Sequence, residues 1–228
     1  MVSVIADDPS AVDLEDEILD LASQRAGGSA AFDRARRDLV EHIRHRVETS
    51  KEPEDYFLLG RALWSLYTRP GTERAVEALR AFRRSRMDPD LEQMSRLFTL
   101  YILESRNEHS AALLEFECLD REWFERHDLY WRLLTALECQ FSALVSLRLS
   151  AAAIETSGEI VEWLSEQDEI DAAPPKVFVD ALEKGIRTEV LPERDSQRTW
   201  RRVKKLLAGT GMAWVMDRDV PTATPTVA

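Results

Sequence analysis

Glycine and proline are scarce, with 8 and 9 among 228 residues. An all-β chain needs many more of both in its turns, and the alternating apolar and polar runs of half-buried strands are missing too. No window approaches the roughly 20 apolar residues of a membrane span. The most apolar stretch, 129–149, is interrupted by Arg132, Glu138, Gln140 and Arg148. The first five residues, Met1-Val2-Ser3-Val4-Ile5, lack the basic region and apolar run of a secretory signal. The two cysteines, Cys118 and Cys139, make no disulfide framework. Lying inside helical patterns, they read as buried free thiols in a reducing compartment, so a cytoplasmic protein is expected. A cationic surplus is absent as well: 30 Lys and Arg face 42 Asp and Glu, a net charge of −12. That counts against direct nucleic-acid binding, which depends on basic surface to displace counterions.

Chemistry-bearing motifs are equally thin. His42 and His45 stand three apart on a helical pattern with Glu41 adjacent. A zinc site needs further ligands, and no His-Glu-x-x-His run supplies them. Cys118 with His109 and His127 are the only ingredients for a thiol nucleophile, and Cys118 falls at a core-type position beside Phe116 and Leu119. Carboxylate pairs such as Glu15 with Glu17 or Glu166 with Asp168 are what chance supplies among 42 acids. Gly209-Thr210-Gly211 lacks the Lys-Ser/Thr of a phosphate loop. The expectation is a protein without catalytic residues, cofactor or metal. A metal-dependent helical hydrolase built on His42 and His45 is the enzymatic alternative.

What the chain has is helical periodicity. Hydrophobic residues make up 44%, enough to offset chain entropy with a packed core. Asp8-Pro9, Glu52-Pro53 and Asp88-Pro89 read as helix starts, an acidic or capping residue followed by proline in the first turn. Stripes at three- and four-residue steps follow, among them Phe32, Ala35, Leu39, Ile43 and Val47, then Tyr56, Leu59, Leu63 and Leu66. Gly27-Gly28 and Arg69-Pro70-Gly71 mark stops, Thr72 a cap, and Pro174-Pro175 a further start. From Asp128 to Gln167 no proline intervenes and glycine only at Gly158, leaving one bent helix or two. Nine or ten α-helices and no sheet are expected.

Three of these helices align with one another. Tyr56, Met94 and Tyr130 correspond, as do Leu59, Leu97 and Leu133, and Leu63, Tyr101 and Leu137. The partner helices align Ala75 with Ala112, Leu79 with Phe116 and Phe82 with Leu119. Units of this length bury their apolar faces by stacking on neighbours. Tyr56, Leu59, Gly60 and Leu63, followed by Ala75 and Leu79, resemble the tetratricopeptide repeat. The small Gly60 would let its partner helix approach closely. The resemblance covers 53–147, with Phe98 and Leu134 in place of Gly60 in the later copies and Phe82 where that family has alanine. It implies antiparallel helical hairpins stacked as a right-handed solenoid; an irregular helical bundle uses the same periodicities. In a hairpin stack the flank beside the main stripe lines the concave side. Phe57, Arg61 and Trp64 share that flank, and Trp131 stands to Tyr130 as Trp64 does to Leu63. Aromatics with arginine are the residues most enriched at binding hot spots, so these four are the candidate partner-binding residues.

The chain thus divides into an acidic helical pair (1–52), a hairpin region (53–167), C-terminal helices with a basic cap (168–216) and a disordered tail (217–228). Charge is segregated. Residues 1–20 hold seven acids and no base; residues 194–205 hold six bases against Asp195. The basic segment carries an apolar stripe, Trp200, Val203, Leu206 and Leu207, as a capping helix should. The two ends are expected to act on each other or on a shared partner, with Ile18 and Leu19 meeting Trp200 and Leu207. The functional expectation is an interaction module, an adaptor or a regulatory inhibitor, whose acidity favours a basic protein partner. An acidic protein that sequesters a nucleic-acid-binding regulator is the second binding reading.

Overall fold

The structure, a computed structural model, describes residues 10–24, 29–67, 73–129, 131–166 and 176–208. The expected signals at Asp8-Pro9, Gly27-Gly28, 69–72, Tyr130, Pro174-Pro175 and 209–211, and the 217–228 tail, lie outside them. Among the described residues there are eleven α-helices and no strand. They are α1 (Ala11–Ser23), α2 (Ala30–Ser50), α3 (Pro53–Leu66), α4 (Glu73–Ser85), α5 (Pro89–Ser105), α6 (His109–Glu117), α7 (Arg121–Arg126), α8 (Trp131–Ser146), α9 (Ser150–Glu166), α10 (Lys176–Arg187) and α11 (Glu193–Leu207).

Local chemistry accounts for the starts. Ser10 caps α1: its hydroxyl accepts the Asp13 N–H, and the Asp13 carboxylate accepts the Ser10 N–H at 3.0 Å. The Ser10 hydroxyl, which also donates to that carboxylate at 2.7 Å, and then the Ser10 N–H hold the Asp13 carboxyl below its usual range. Ser29 caps α2 through the Phe32 N–H at 3.1 Å, and Pro53 opens α3 after Glu52. Five of the described stops use no glycine. Lys51, Asn107, Asp128, Arg148 and Glu189 take φ between 53° and 60°, the left-handed turn that ends a helix. Arg148 resolves the long pattern after Asp128 into two helices, with the Leu149 N–H reaching back to the Leu144 carbonyl at 2.9 Å.

The chain forms two compact units, Met1–Ile102 and Leu103–Ala228. The division falls inside α5, within the segment expected to form one hairpin region. In the first unit α3 is the central helix, packed against α1, α2 and α4. Every residue from Phe57 to Leu63 is buried, as befits a helix enclosed on all sides. Ile18, Ile43, Leu58, Leu63 and Phe82 are among its fully buried side chains. A Cβ added at Gly60 would lie 2.8 Å from the Phe82 ring, so the absent side chain sets how closely α3 and α4 pack. Phe82 stacks on Phe98 of α5, with ring centroids 5.4 Å apart.

In the second unit α8 is central, flanked by α6, α7, α9 and α10, and α11 packs on α9 and α10. Leu137, Phe141, Ile160, Phe178, Leu182 and Trp200 share one core. The apolar stripes expected to join the chain's two ends are used within the units. Ile18 belongs to the first core, and Trp200 and Leu207 to the second, while Leu19 is 50% exposed. Among the described residues no helix is long and apolar enough to cross a membrane.

Candidate partner-binding pocket

Between α6 and α8 the chain inserts α7, six residues long. Asp120 starts it, accepting the Trp123 N–H at 3.2 Å, and Phe124, fully buried, anchors it to the core. Trp123 stacks on His127 at 4.2 Å between centroids, and Asp128, with φ 53°, ends the helix. Side chains of α7 edge a gap shared with α6, α8 and α9. The gap is a cavity of about 200 Å³. Phe116 and Leu119 close it from the α6 end, Leu133 and Leu137 from α8, and Trp163 from α9. Arg121 and Glu125 of α7 and Glu159 of α9 form its polar edge.

Arg121 and Glu159 are ion-paired, with side chains 52% and 39% exposed. A pair that open contributes about 0–1 kcal/mol and parts at little cost. The Arg121 guanidinium also lies 5.9 Å from the centre of the Phe116 ring. The cavity is smaller than the roughly 300–1,000 Å³ of small-molecule sites. Its size and apolar floor suit one or two side chains, and its two carboxylates suit a cation beside them.

The four expected binding residues fall in different surroundings. Phe57 packs edge-on against Phe82 and Phe98, with centroids 5.8 and 6.1 Å away, and is 7% exposed. Arg61 is 6% exposed, its guanidinium 4.6 Å over the Phe98 ring and 3.5 Å from Glu15 of α1. Both are enclosed because α3 has no solvent flank between Phe57 and Leu63. Trp64 is half-buried against the same core. Trp131 stands 43% exposed at the start of α8, with the Arg132 guanidinium 4.4 Å over its ring. Tyr130, its expected neighbour, lies outside the described residues.

Cys118 is a correction: it is exposed, not buried. Leu119 and Phe116 made its position look like core, but α6 ends at Glu117, and the residue past the helix end turns outward. The histidines expected near it are engaged elsewhere. His109 Nδ1 lies 2.9 Å from Glu104, and His127 Nδ1 lies 2.7 Å from the Trp123 carbonyl. Glu104 also accepts the Ser142 hydroxyl. The carboxylate therefore sits between serine and histidine, whereas nucleophile activation needs the histidine in the middle. His45 is exposed and His42 half-buried on α2. Among the described residues no three His, Cys, Asp or Glu side chains converge on a metal-sized space.

The pocket itself was not foreseen. Phe116, Leu119, Leu133 and Leu137 fall on the aligned helical stripes, and α7 is too short to show a period. The available signal is Asp120 three residues before Trp123, an N-cap pattern. No family model, characterised protein or solved structure matches the chain.

Proposed function

We propose that the protein is a non-catalytic interaction module, an adaptor or regulatory inhibitor, that takes an apolar side chain of a basic partner protein into the pocket under α7. The observation that carries this is the lining: five apolar side chains edged by Glu125 and Glu159. Leucine or an aromatic residue next to lysine or arginine is the complement of that lining. The net charge of −12 would draw a basic partner in. The tetratricopeptide-like reading supports the same class, and the close approach of Phe82 to Gly60 is the packing which that reading needs.

Photo-crosslinking tests it. A crosslinker placed at Leu133 in the native cell should capture a basic protein. The Glu125→Lys/Glu159→Lys variant should lose that capture and weaken binding of the purified partner by more than tenfold. Capture that is indifferent to both substitutions overturns the pocket. The second reading, phosphate mimicry by the first helix, has its own observation: Asp13, Asp16, Glu17 and Asp20 are all exposed on α1. Crosslinks gathered at 13–20, lost on Asp16→Lys/Asp20→Lys, favour it instead.

A further inference from the structure

Helix α11 carries six bases and two acids in an acidic protein. At 100° per residue, Arg194, Arg198, Arg201, Arg202 and Lys205 fall within roughly one third of its circumference. The opposite side, Ser196, Trp200, Val203 and Leu207, is buried. The side chains of the four arginines and Lys205 make no hydrogen bond or ion pair among the described residues. By contrast Arg36, Arg44, Arg96 and Arg187 each have a carboxylate partner. Two of the stripe's arginines, Arg198 and Arg202, face a groove of about 190 Å³ between α11 and α9. Ile154 and Val161 give that groove an apolar floor, Ser157 and Thr199 line it, and Asp195 is its single acid. Its α9 wall includes Gly158, where an added Cβ would meet nothing within 4 Å.

We propose that this side of α11, with the groove beside it, is a second binding surface that takes an acidic peptide segment of a partner protein, glutamates or aspartates flanking an apolar residue. It is separate from the pocket under α7 and rests on different residues. Charge complementarity selects the sign of the occupant. The stripe runs about 16 Å along the helix, the reach of roughly five extended residues. A short acidic segment fits inside it. A nucleic-acid duplex extends well past it, carrying a charge about every 1.7 Å into the field of a chain with net charge −12. Nor do phosphates use an apolar floor. A membrane surface fits less well still. The apolar residues that an amphipathic helix would insert, Trp200, Val203 and Leu207, are already 0% exposed within the core.

The test is fluorescence anisotropy with the full chain and three probes at physiological ionic strength. The probes are a short labelled peptide of glutamates around a central leucine, a labelled DNA duplex, and vesicles containing phosphatidylserine. The peptide should bind, and more tightly than the duplex or the vesicles. Arg198→Glu/Arg202→Glu should weaken it more than tenfold. Gly158→Leu fills the groove without touching any charge and should weaken the peptide at least fivefold. Circular dichroism of both variants should match the parent, since both sites are on the surface. Tighter duplex or vesicle binding overturns the proposal. So does peptide binding that Gly158→Leu leaves unchanged, which would reduce the surface to unspecific charge attraction. An absence of peptide binding by the parent chain also ends it.

Discussion

The carboxylate of Glu138, on α8, accepts the backbone N–H of Phe178, at the start of α10, at 3.2 Å. An acid that is 4% exposed thereby serves as the cap of a helix forty residues away. Burial pushes its pKa up from 4.5 to about 7, against the opposing pull of the Phe178 and Val177 amides. Because the folded value lies above the unfolded one, folding takes up a proton between those limits. Stability attributable to Glu138 is therefore full below pH 4.5 and is lost as pH rises through 7. The shift corresponds to about 3 kcal/mol. Glu138→Gln keeps an acceptor and removes the charge. Denaturant titrations should give parent and variant similar stability in acid and a gap of about 3 kcal/mol in the variant's favour above neutrality. Parallel curves across that range would remove Glu138 as the titrating group.

Gly60 and Gly158 make a matched pair. Both lie inside helices, where glycine costs about 1 kcal/mol relative to alanine. At Gly158 nothing lies within 4 Å of an added Cβ, so Gly158→Ala should stabilise the protein by that amount. At Gly60 the added carbon meets three Phe82 ring atoms at 2.8–2.9 Å. The ring cannot give way, because it is fully buried and stacked on Phe98. Overpacking of this kind costs about 1–3 kcal/mol, which outweighs the propensity gain. Gly60→Ala should lower the urea midpoint and Gly158→Ala should raise it; movement in the same direction would contradict the packing of α3 on α4.

This contrast also explains what could be read in advance. Helix existence was legible because the starts carry chemistry that operates locally: Ser29 with Phe32, Pro53 after Glu52, Pro89 after Asp88. The close approach of the partner helix at Gly60 was legible too, since only a missing side chain permits it; that Phe82 fills the space was not. The stops at Arg148 and Glu189 were not legible, because residues other than glycine adopt there the left-handed turn that glycine usually advertises. The burial of Phe57 and Arg61 was not legible for another reason. Period alone gives α3 one apolar face and therefore a free flank beside it. The unbroken burial from Phe57 to Leu63 arises because three other helices surround it, a fact of assembly that one helix's pattern does not contain. The apolar stripe of α11 was legible, and Trp200 on it is buried, since a lone indole among the bases of that helix has only one apolar side to join.

Arg46 and Asp55 form an ion pair at 3.0 Å with side chains 19% and 3% exposed, and the Ser50 hydroxyl also bonds Asp55. The pair joins the end of α2 to the first turn of α3. Removing one partner strands a buried charge, which costs about 3 kcal/mol. Arg46→Met should show that loss in chemical denaturation. Arg46→Met/Asp55→Asn should recover most of it, because the asparagine is neutral and still accepts from Ser50. A double variant as weak as the single one would mean that Arg46 acts through packing of its stem and not through its charge.

The two cysteines should react on different clocks. Cys118 closes α6, its N–H turned back to the Glu115 and Phe116 carbonyls, and the side chain points outward. Cys139 lies on the central helix α8 and is 5% exposed. Burial, with Glu104 and Glu138 nearby, pushes its thiol pKa well above the ordinary value. The thiolate is the reactive form, so Cys139 is protected twice, by access and by protonation. A chromogenic thiol reagent at mildly alkaline pH should consume one equivalent promptly from the native protein. The second should appear only as the surrounding core opens, at a rate that rises with urea. Cys118→Ser should abolish the prompt phase and leave the slow one; Cys139→Ser should do the reverse. Prompt reaction of two equivalents would place α8 at the surface. It would remove the floor of the pocket as well, since Leu133 and Leu137 stand on the same helix. The titration therefore tests the scaffold of the proposed site before any partner is in hand.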